Sequence, residues 1–340
     1  MAELLLDRNT FRESVFKRDH FRCVVCGQKA EDAHHIMERR LFSDGGYYLD
    51  NGASLCSDCH IKAEQTLITT DFLRFCIKAD KRILPEHLYE DYDYDKWGNI
   101  INANQTRVKG ELFFDESVQK ILKSAGVLSS FGKYIKYPRT YHLPFSPGRT
   151  EDDKTLKDCS IFENKDVIIT TKMDGENTTG YWDGCIHARS LDSDNHKSRN
   201  WVKKYLSDRL YELPEGWRIC GENLFAKHSI HYKDLPSYFN LFSIWNEKNE
   251  CLSWDDTWEW AKLLDLHLVP YLHRGIWSEQ LTKDLSGMLK ENVEGFVVRS
   301  SESFTYAAFR LNVAKWVRAN HVQTNQHWIK TKLIQNEIKQ

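Results

Sequence analysis

The chain has no apolar run approaching the ~20 residues a membrane-spanning helix needs, and its start, MAELLLDRNT, lacks a basic stretch followed by a hydrophobic core. It also has little net charge. Lys and Arg number 47 against 49 Asp and Glu, a formal −2, so no global cationic field draws it to nucleic acid and any such surface is local. Internal repeats and low-complexity tracts are absent. Nine cysteines in 340 residues are too few for a secreted disulfide scaffold. Four of them fall in two C-x-x-C units, which points to metal and a reducing compartment. The other five, Cys76, Cys159, Cys185, Cys220 and Cys251, read as buried small hydrophobes. The expectation is a soluble cytoplasmic protein with no membrane partner; nothing in the sequence speaks to its oligomeric state.

With 41% hydrophobic and 13% aromatic residues, a chain of this length buries more than one core and is expected to form about two domains. Texture divides it. Residues 1–78 hold all the paired cysteines, 79–130 form a charged, aromatic connector containing DYDYDKWGN, and 131–340 alternate short strands and helices. Thr10 is placed to cap a helix carrying Phe11, Val15 and Phe16, and Phe114 to Leu122 reads as another helix. From Val167 onward the runs VIITTKM, GYWDGCIHAR, RICGENL, YFNLFSIW, GFVVR and FRLNVAKWV, bounded by Gly, Asn and Asp, read as strands. Ser253 and Ser278 start helices by capping logic, and TNQHWIKTKLIQNEIKQ reads as a terminal helix. The fold class is α+β.

Cys23 and Cys26, then Cys56 and Cys59, make two knuckles about 30 residues apart, each able to give two thiolates to one tetrahedral Zn2+ at about 2.3 Å. Around them lie AHHIMERRLF, LDNGASL and CSDCH. These segments resemble the zinc-stapled branch of the HNH nuclease family. The resemblance implies a small ββα-metal domain in which His35 is the general base that activates water. His34 and His60 hold a catalytic divalent ion, and Asn51 orients the base or joins the metal shell. A neutral imidazole accepts a proton near pH 7 while a metal stabilises charge on the phosphate. The commoner pattern has Asp at position 34, and His there favours a hard ion less. The alternative for this domain is a nucleic-acid-binding or architectural module.

The second constellation centres on Lys172 in KMDGEN, followed by Glu222 in GEN, Phe242 in YFNLFSIW, Glu294 in EGFVVR, and Lys315 and Arg318 in AKWVR. Alone, K-x-D-G is weak. In this order, over about 130 to 330, the residues resemble the motifs of the covalent nucleotidyltransferases, which include polynucleotide ligases and capping enzymes. Asn177 and the upstream YPRTYHLPFSPG are most similar to the RNA ligase 2 type. The resemblance implies an ATP-grasp-like antiparallel-sheet domain. It makes Lys172 the site of AMP attachment and gives Arg189 in HARSLDS the ribose or a nucleic-acid phosphate. Glu222 binds ribose or a metal-bound water, Phe242 stacks on adenine, and Glu294 binds Mg2+ or Mn2+. Lys315 faces the α-phosphate with Arg318 beside it, and Asn177 holds the 5′-phosphate end.

A lysine of pKa near 10.4 is protonated at pH 7, so the expectation is that cations from Lys315, Arg318 and a metal depress Lys172. The same cations neutralise the phosphate in flight. Family members commonly carry two lysines two residues apart, on one face of a strand; here Val317 takes the second place and Arg318 falls on the opposite face. About 25 residues follow Lys315, too few for the OB-fold of DNA ligases and capping enzymes. The sequence therefore reads as an ATP-dependent RNA ligase, with RNA the favoured nucleic acid, fused to a zinc-stapled HNH domain. The alternative is an HNH nuclease or end-binding protein whose ligase-like half binds nucleotide or ends without sealing.

Overall fold

The computed structural model describes residues 4–191, 196–289, 293–319 and 333–339. They fall into two compact units, Met1–Ile135 and Lys136–Gln340.

The first unit opens with helix α1 (Arg8–Arg18), capped by Asp7, which accepts the N–H groups of Asn9 and Thr10. Thr10 is therefore inside the first turn rather than at the cap, because a carboxylate three residues earlier already takes the free donors. Phe11 and Val15, four residues apart on one face, are buried. Next come an antiparallel hairpin, β1 (Asp32–His35) and β2 (Gly52–Leu55), with His34 opposite Ala53 and His35 opposite Gly52. Helices α2 (Ser57–Glu64) and α3 (Thr70–Ile77) follow. Ile36, Leu55, Ala63 and Leu73 pack around Cys23, Cys56 and Cys59 in one core.

Residues 79–130 have structure of their own. A small sheet of β3 (Asp93–Tyr94), β4 (Ile100–Ile101) and β5 (Arg107–Val108) adjoins helix α4 (Glu116–Ser124), whose cap is Asp115. A 3-10 turn, Glu111–Phe114, precedes that helix, so Phe114 lies outside it. Trp97, Phe113, Val118 and Leu122 form the local core. The buried Asp95 organises the β-turn by accepting from Trp97 N and Asn99 N, and Arg107 lies 2.8 Å from its carboxylate.

The second unit holds two mainly antiparallel sheets. In chain order its elements are β6 (Tyr141–His142), β7 (Asp166–Lys172), β8 (Glu176–Tyr181), β9 (Ile186–Ala188), α5 (Asn200–Leu210), β10 (Arg218–Asn223), β11 (Phe239–Trp245) and β12 (Glu250–Cys251). They continue with α6 (Trp254–Leu263), β13 (His267–Leu268), β14 (Tyr271–Ile276), α7 (Glu279–Met288), β15 (Gly295–Ser300), β16 (Phe304–Thr305) and β17 (Val313–Val317). One sheet runs β16-β12-β11-β10-β8-β9, with β13 beside β11; the other runs β14-β7-β15-β17-β6. Strand β7 has four consecutive buried residues, Val167 to Thr170, as a strand covered on both faces must. GYWDGCIHAR is a hairpin rather than one strand, its turn made by Gly184 at φ 82°. FRLNVAKWV begins as a 3-10 turn, Phe309–Leu311, before β17. Ser253 and Ser278 cap α6 and α7 as expected.

The chain's last described stretch, 333–339, is extended rather than helical; the remainder of the expected terminal helix, 324–332 and 340, lies outside the described residues. Asn336, 1% exposed, donates to Leu224 O and Ala226 O and accepts from Tyr232 N. It straps down the segment between β10 and β11. Among the described residues no helix is long and apolar enough to cross a membrane.

Candidate functional sites

In the first unit the Sγ atoms of Cys23, Cys26, Cys56 and Cys59 all lie within 4.8 Å of one another. A tetrahedral zinc with 2.3 Å bonds needs sulfurs about 3.8 Å apart, so the four cysteines fit the ion. Burial raises the Cys23 thiol, but N–H groups of Cys56, Cys26 and Val25 outweigh it and bring it down to about 7, whereas burial and the neighbouring thiols push Cys59 up.

On the neighbouring hairpin and helix, His34, His60 and Glu64 bring ligand atoms within 4.8 Å of one another. Two imidazoles and a carboxylate fit a divalent ion. Glu64 was not expected from the sequence, although it lies one turn after His60, on the same helical face. Its Oε1 is 3.4 Å from His34 Nδ1, 3.4 Å from His60 Nε2 and 3.2 Å from Lys96 Nζ. Lys96 also reaches Glu38, at 3.2 Å, and donates to His35 O. Burial and the Lys96 charge push His34 down to about 3 and His35 down to about 4, so both are neutral imidazoles at pH 7. The His35 ring stacks on Phe11 at 4.6 Å and meets Tyr47 edge-on.

Asn51 is bound to backbone on both sides of its amide. It is 1% exposed, its Oδ1 accepts from Met37 N, and its Nδ2 donates to Met37 O and Gly46 O. Both Nδ2 protons and one of the two Oδ1 lone pairs are taken by backbone groups. It clasps the chain that leaves β1 just after His35.

In the second unit the ends of strands from both sheets line a cavity of about 910 Å³. Lys172, Asn177, Arg189, Glu222, Phe242 and Lys315 all line it. Lys172 ends β7 and pairs in register with Gly295 of β15, which brings Glu294 alongside; Lys172 Nζ donates to Glu294 Oε2 at 2.7 Å. Gly175 is what lets the following turn fit: a Cβ there would meet Asn223 O at 2.6 Å and Leu224 at 2.7 Å. Without one, Gly175 N reaches Glu222 Oε1 at 3.1 Å. Asp174 is tied at both ends, its N–H donating to Tyr232 Oη and its carboxylate accepting from Ile230 N.

Glu222 and Asn177 are register partners on β10 and β8, so their side chains share a face. Asn177 Oδ1 is buried and meets no donor among the described residues. Phe242 meets Tyr137 edge-on at 5.2 Å. Arg189 is exposed at the rim. Arg318 does not line the cavity; only its backbone joins the site, through Arg318 N to Glu294 O. This follows from strand alternation, which turns the residue after Val317 away from Lys315's face.

The depression expected of Lys172 drew on a bound metal as well as on cations; the protein's own groups shift it the other way. Burial lowers its pKa, but Glu294, Glu222 and Asp174 outweigh burial and the net direction is up. Burial and the neighbouring carboxylates raise Glu222 to about 8 despite Lys172. Lys315 is shifted down, by burial and by repulsion from Lys172, against the pull of Asp153. Carboxylates are thus closer to the nucleophile candidate than cations are.

Residues that the sequence reading missed complete the cavity: Tyr137, Asp153, and a bidentate pair between Arg199 and Glu176 at 2.8 and 2.6 Å. Arg199 belongs to the basic run HKSRNWVKK, yet it is 6% exposed and turned inward.

Comparison with known proteins matches residues 165–317 to the RNA ligase family and residues 23–66 to the HNH endonuclease family. Among solved structures, an RNA ligase of Naegleria gruberi with PPi is similar at 17% identity over 55% of this chain and 62% of that chain, with a TM-score of 0.36. A mutant of that ligase with ATP and Mn gives 15% identity, 54% and 61% coverage, and a TM-score of 0.35. An archaeal ATP-dependent RNA ligase gives 15% identity, 54% and 48% coverage, and a TM-score of 0.38. The chain spans about three fifths of the Naegleria structures and about half of the archaeal one. No curated protein matches it.

Proposed function

We propose that this chain, which carries an RNA ligase family domain behind an N-terminal HNH domain, joins RNA ends through an AMP adduct on Lys172. The observation that carries the reading is the placing of Lys172 beside Glu294, at 2.7 Å, in a cavity that also presents Glu222, Phe242 and Lys315. Lys172 Nζ attacks the α-phosphorus of ATP, an N–P bond forms, and pyrophosphate leaves. The AMP then passes to an RNA 5′-phosphate, and a 3′-hydroxyl attacks that activated phosphate, forming the phosphodiester and releasing AMP. Lys315 faces the phosphate and offsets its charge. Phe242 offers a ring to the base, Asn177 Oδ1 is available to the nucleic-acid end, and Arg189 at the rim faces the same end. Glu294 would hold Mg2+ or Mn2+, which would supply positive charge for the phosphates, and Glu294 so engaged would release Lys172 and favour its neutral amine.

The test is incubation with α-labelled ATP and a divalent metal. The expected result is a covalent label on the wild-type chain and none on Lys172→Ala; equal labelling of the two would sink the proposal. In the other reading the Lys172–Glu294 contact at 2.7 Å persists as an ion pair, and the domain binds nucleotide or ends without sealing. That version gives nucleotide binding with no labelled adduct.

For the first unit we propose His35 as general base, supported by its neutral imidazole and by its place next in the chain to His34, a member of the His34, His60 and Glu64 cluster. A divalent ion held by those three would stabilise charge on the cleaved phosphate. Nuclease activity that survives unchanged in His35→Ala would remove this assignment.

A further inference from the structure

We infer that Asp153 and His142 are positioning residues for Lys315, an inference that rests on the ligase reading above. Lys315 alone occupies the place where two lysines are expected, since Val317 fills the second. Its ammonium is a mobile charge on a four-carbon stem, and with one such group the geometry of the phosphate contact depends on what fixes it.

The fixing begins in the sheet. Strand β6 runs parallel to β17 with His142 in register with Lys315, and Leu143 N donates to Lys315 O at 2.8 Å. The chain then returns along the far side of β6, where His142 N donates to Lys154 O and Leu156 N to His142 O. This doubling-back brings Asp153 over the two side chains. Its Oδ1 lies 3.4 Å from Lys315 Nζ and its Oδ2 3.4 Å from His142 Nε2, while Thr150 N and Thr150 Oγ1 donate to Oδ2 at 3.0 Å.

The histidine is anchored from behind. It is 1% exposed, and its Nδ1 is 2.8 Å from Ser146 Oγ, which accepts from Val317 N at 2.9 Å. Ser146 Oγ also donates to Val317 O at 3.3 Å, and on the other side of the ring the buried His142 Nε2 has the acceptor-only carboxylate of Asp153 as its neighbour. A chain of contacts therefore runs from the backbone of Val317 through Ser146, His142 and Asp153 to Lys315, starting and ending on the same strand. Asp153 and Lys315 both line the cavity, and His142 does not. The groups around Lys315 are Asp153, Lys172 and Glu294, and those around His142 are Lys315, Asp153 and Lys172. Of these carboxylates, Asp153 is the one in contact with the Lys315 ammonium.

The experiment uses the full chain and follows the rate of lysyl-AMP formation against ATP concentration, with melting midpoints checked for each variant. Asp153→Asn is expected to lower the maximal rate on the order of 10-fold with the ATP concentration at half-rate little changed, since misplacing a catalytic group slows the bound complex. Asp153→Glu restores part of the loss, and His142→Gln gives a smaller loss of the same kind. In a Lys315→Ala background, Asp153→Asn adds no further loss, because the two act as one unit. Three results overturn the inference: Asp153→Asn at the wild-type rate, its loss multiplying fully with that of Lys315→Ala, or a loss that tracks only a fall in melting midpoint. A wild-type chain that forms no adduct overturns the ligase reading and this inference together, whereas the other outcomes bear on the inference alone.

Discussion

In the first unit the chemistry sits on a short hairpin and one helix, and three of the zinc-ligand candidates are themselves members of the hydrophobic core. In the second, Lys172, Glu222, Phe242 and Lys315 stand on strands of two sheets whose cores are built from ordinary aliphatic and aromatic residues. The contrast is one of what holds the reacting groups. A hairpin of two four-residue strands buries too little apolar surface to hold its histidines without a metal staple. The larger sheets fix theirs through strand register, with zinc playing no part.

The strongest way to break that comparison is Cys56→Ser. Structural zinc contributes on the order of 10 kcal/mol to small domains, so the first unit is expected to lose its metal and its protease resistance while AMP labelling of Lys172 continues. Loss of both would show that the second unit depends on the first. Lys172→Ala is the converse: adduct formation disappears, and zinc content and any nuclease activity stay at wild-type levels.

His35→Ala is smaller in scope, with cleavage expected to fall ~10²–10⁴-fold, zinc retained and labelling unaffected, as a nuclease assay and metal analysis would check. Acidification probes the second unit through His142, whose folded-state pKa burial and Lys315 lower to about 4. An unfolded histidine takes up its proton near pH 6.5, so the folded state loses stability as pH falls through the window from 6.5 to 4, by up to about 1.4 kcal/mol per pH unit. Urea midpoints of the wild type and His142→Gln at pH 7 and 4.5 would show the variant's smaller acid dependence. Least of all, Arg318→Ala is expected to change the labelling rate by no more than about twofold, far less than Lys315→Ala, because the side chain faces away from the cavity.

Much of this was legible in the sequence where one residue type has one use. Two C-x-x-C knuckles specify a zinc-binding group without help from the fold. The β strands from Val167 onward announced themselves through apolar runs between turn residues, and the motif order placed Lys172, Glu222, Phe242 and Lys315 around one cavity. What stayed hidden depends on contacts made by folding. Asp153 is one of three consecutive acidic residues in a surface loop, and only the return of that loop along β6 singles it out. Lys96 lies 30 residues beyond the HNH match, and nothing local marks it as the cation that Glu64 faces. The carboxylates around Lys172 were hidden too, because sequence order counts charges without distances, and Glu294 is the one in contact with the amine.

Asn336 has a consequence for a chain still on the ribosome. It bonds the segment whose Ile230 and Tyr232 tie down Asp174, two residues past the nucleophile candidate. Lys172 is translated more than 160 residues before Asn336, so for that interval the nascent sheet carries the lysine without the strap. The Asp174 turn is thus braced by a segment synthesised late, and a proteolytic cut just before residue 333 leaves every motif present while removing that brace.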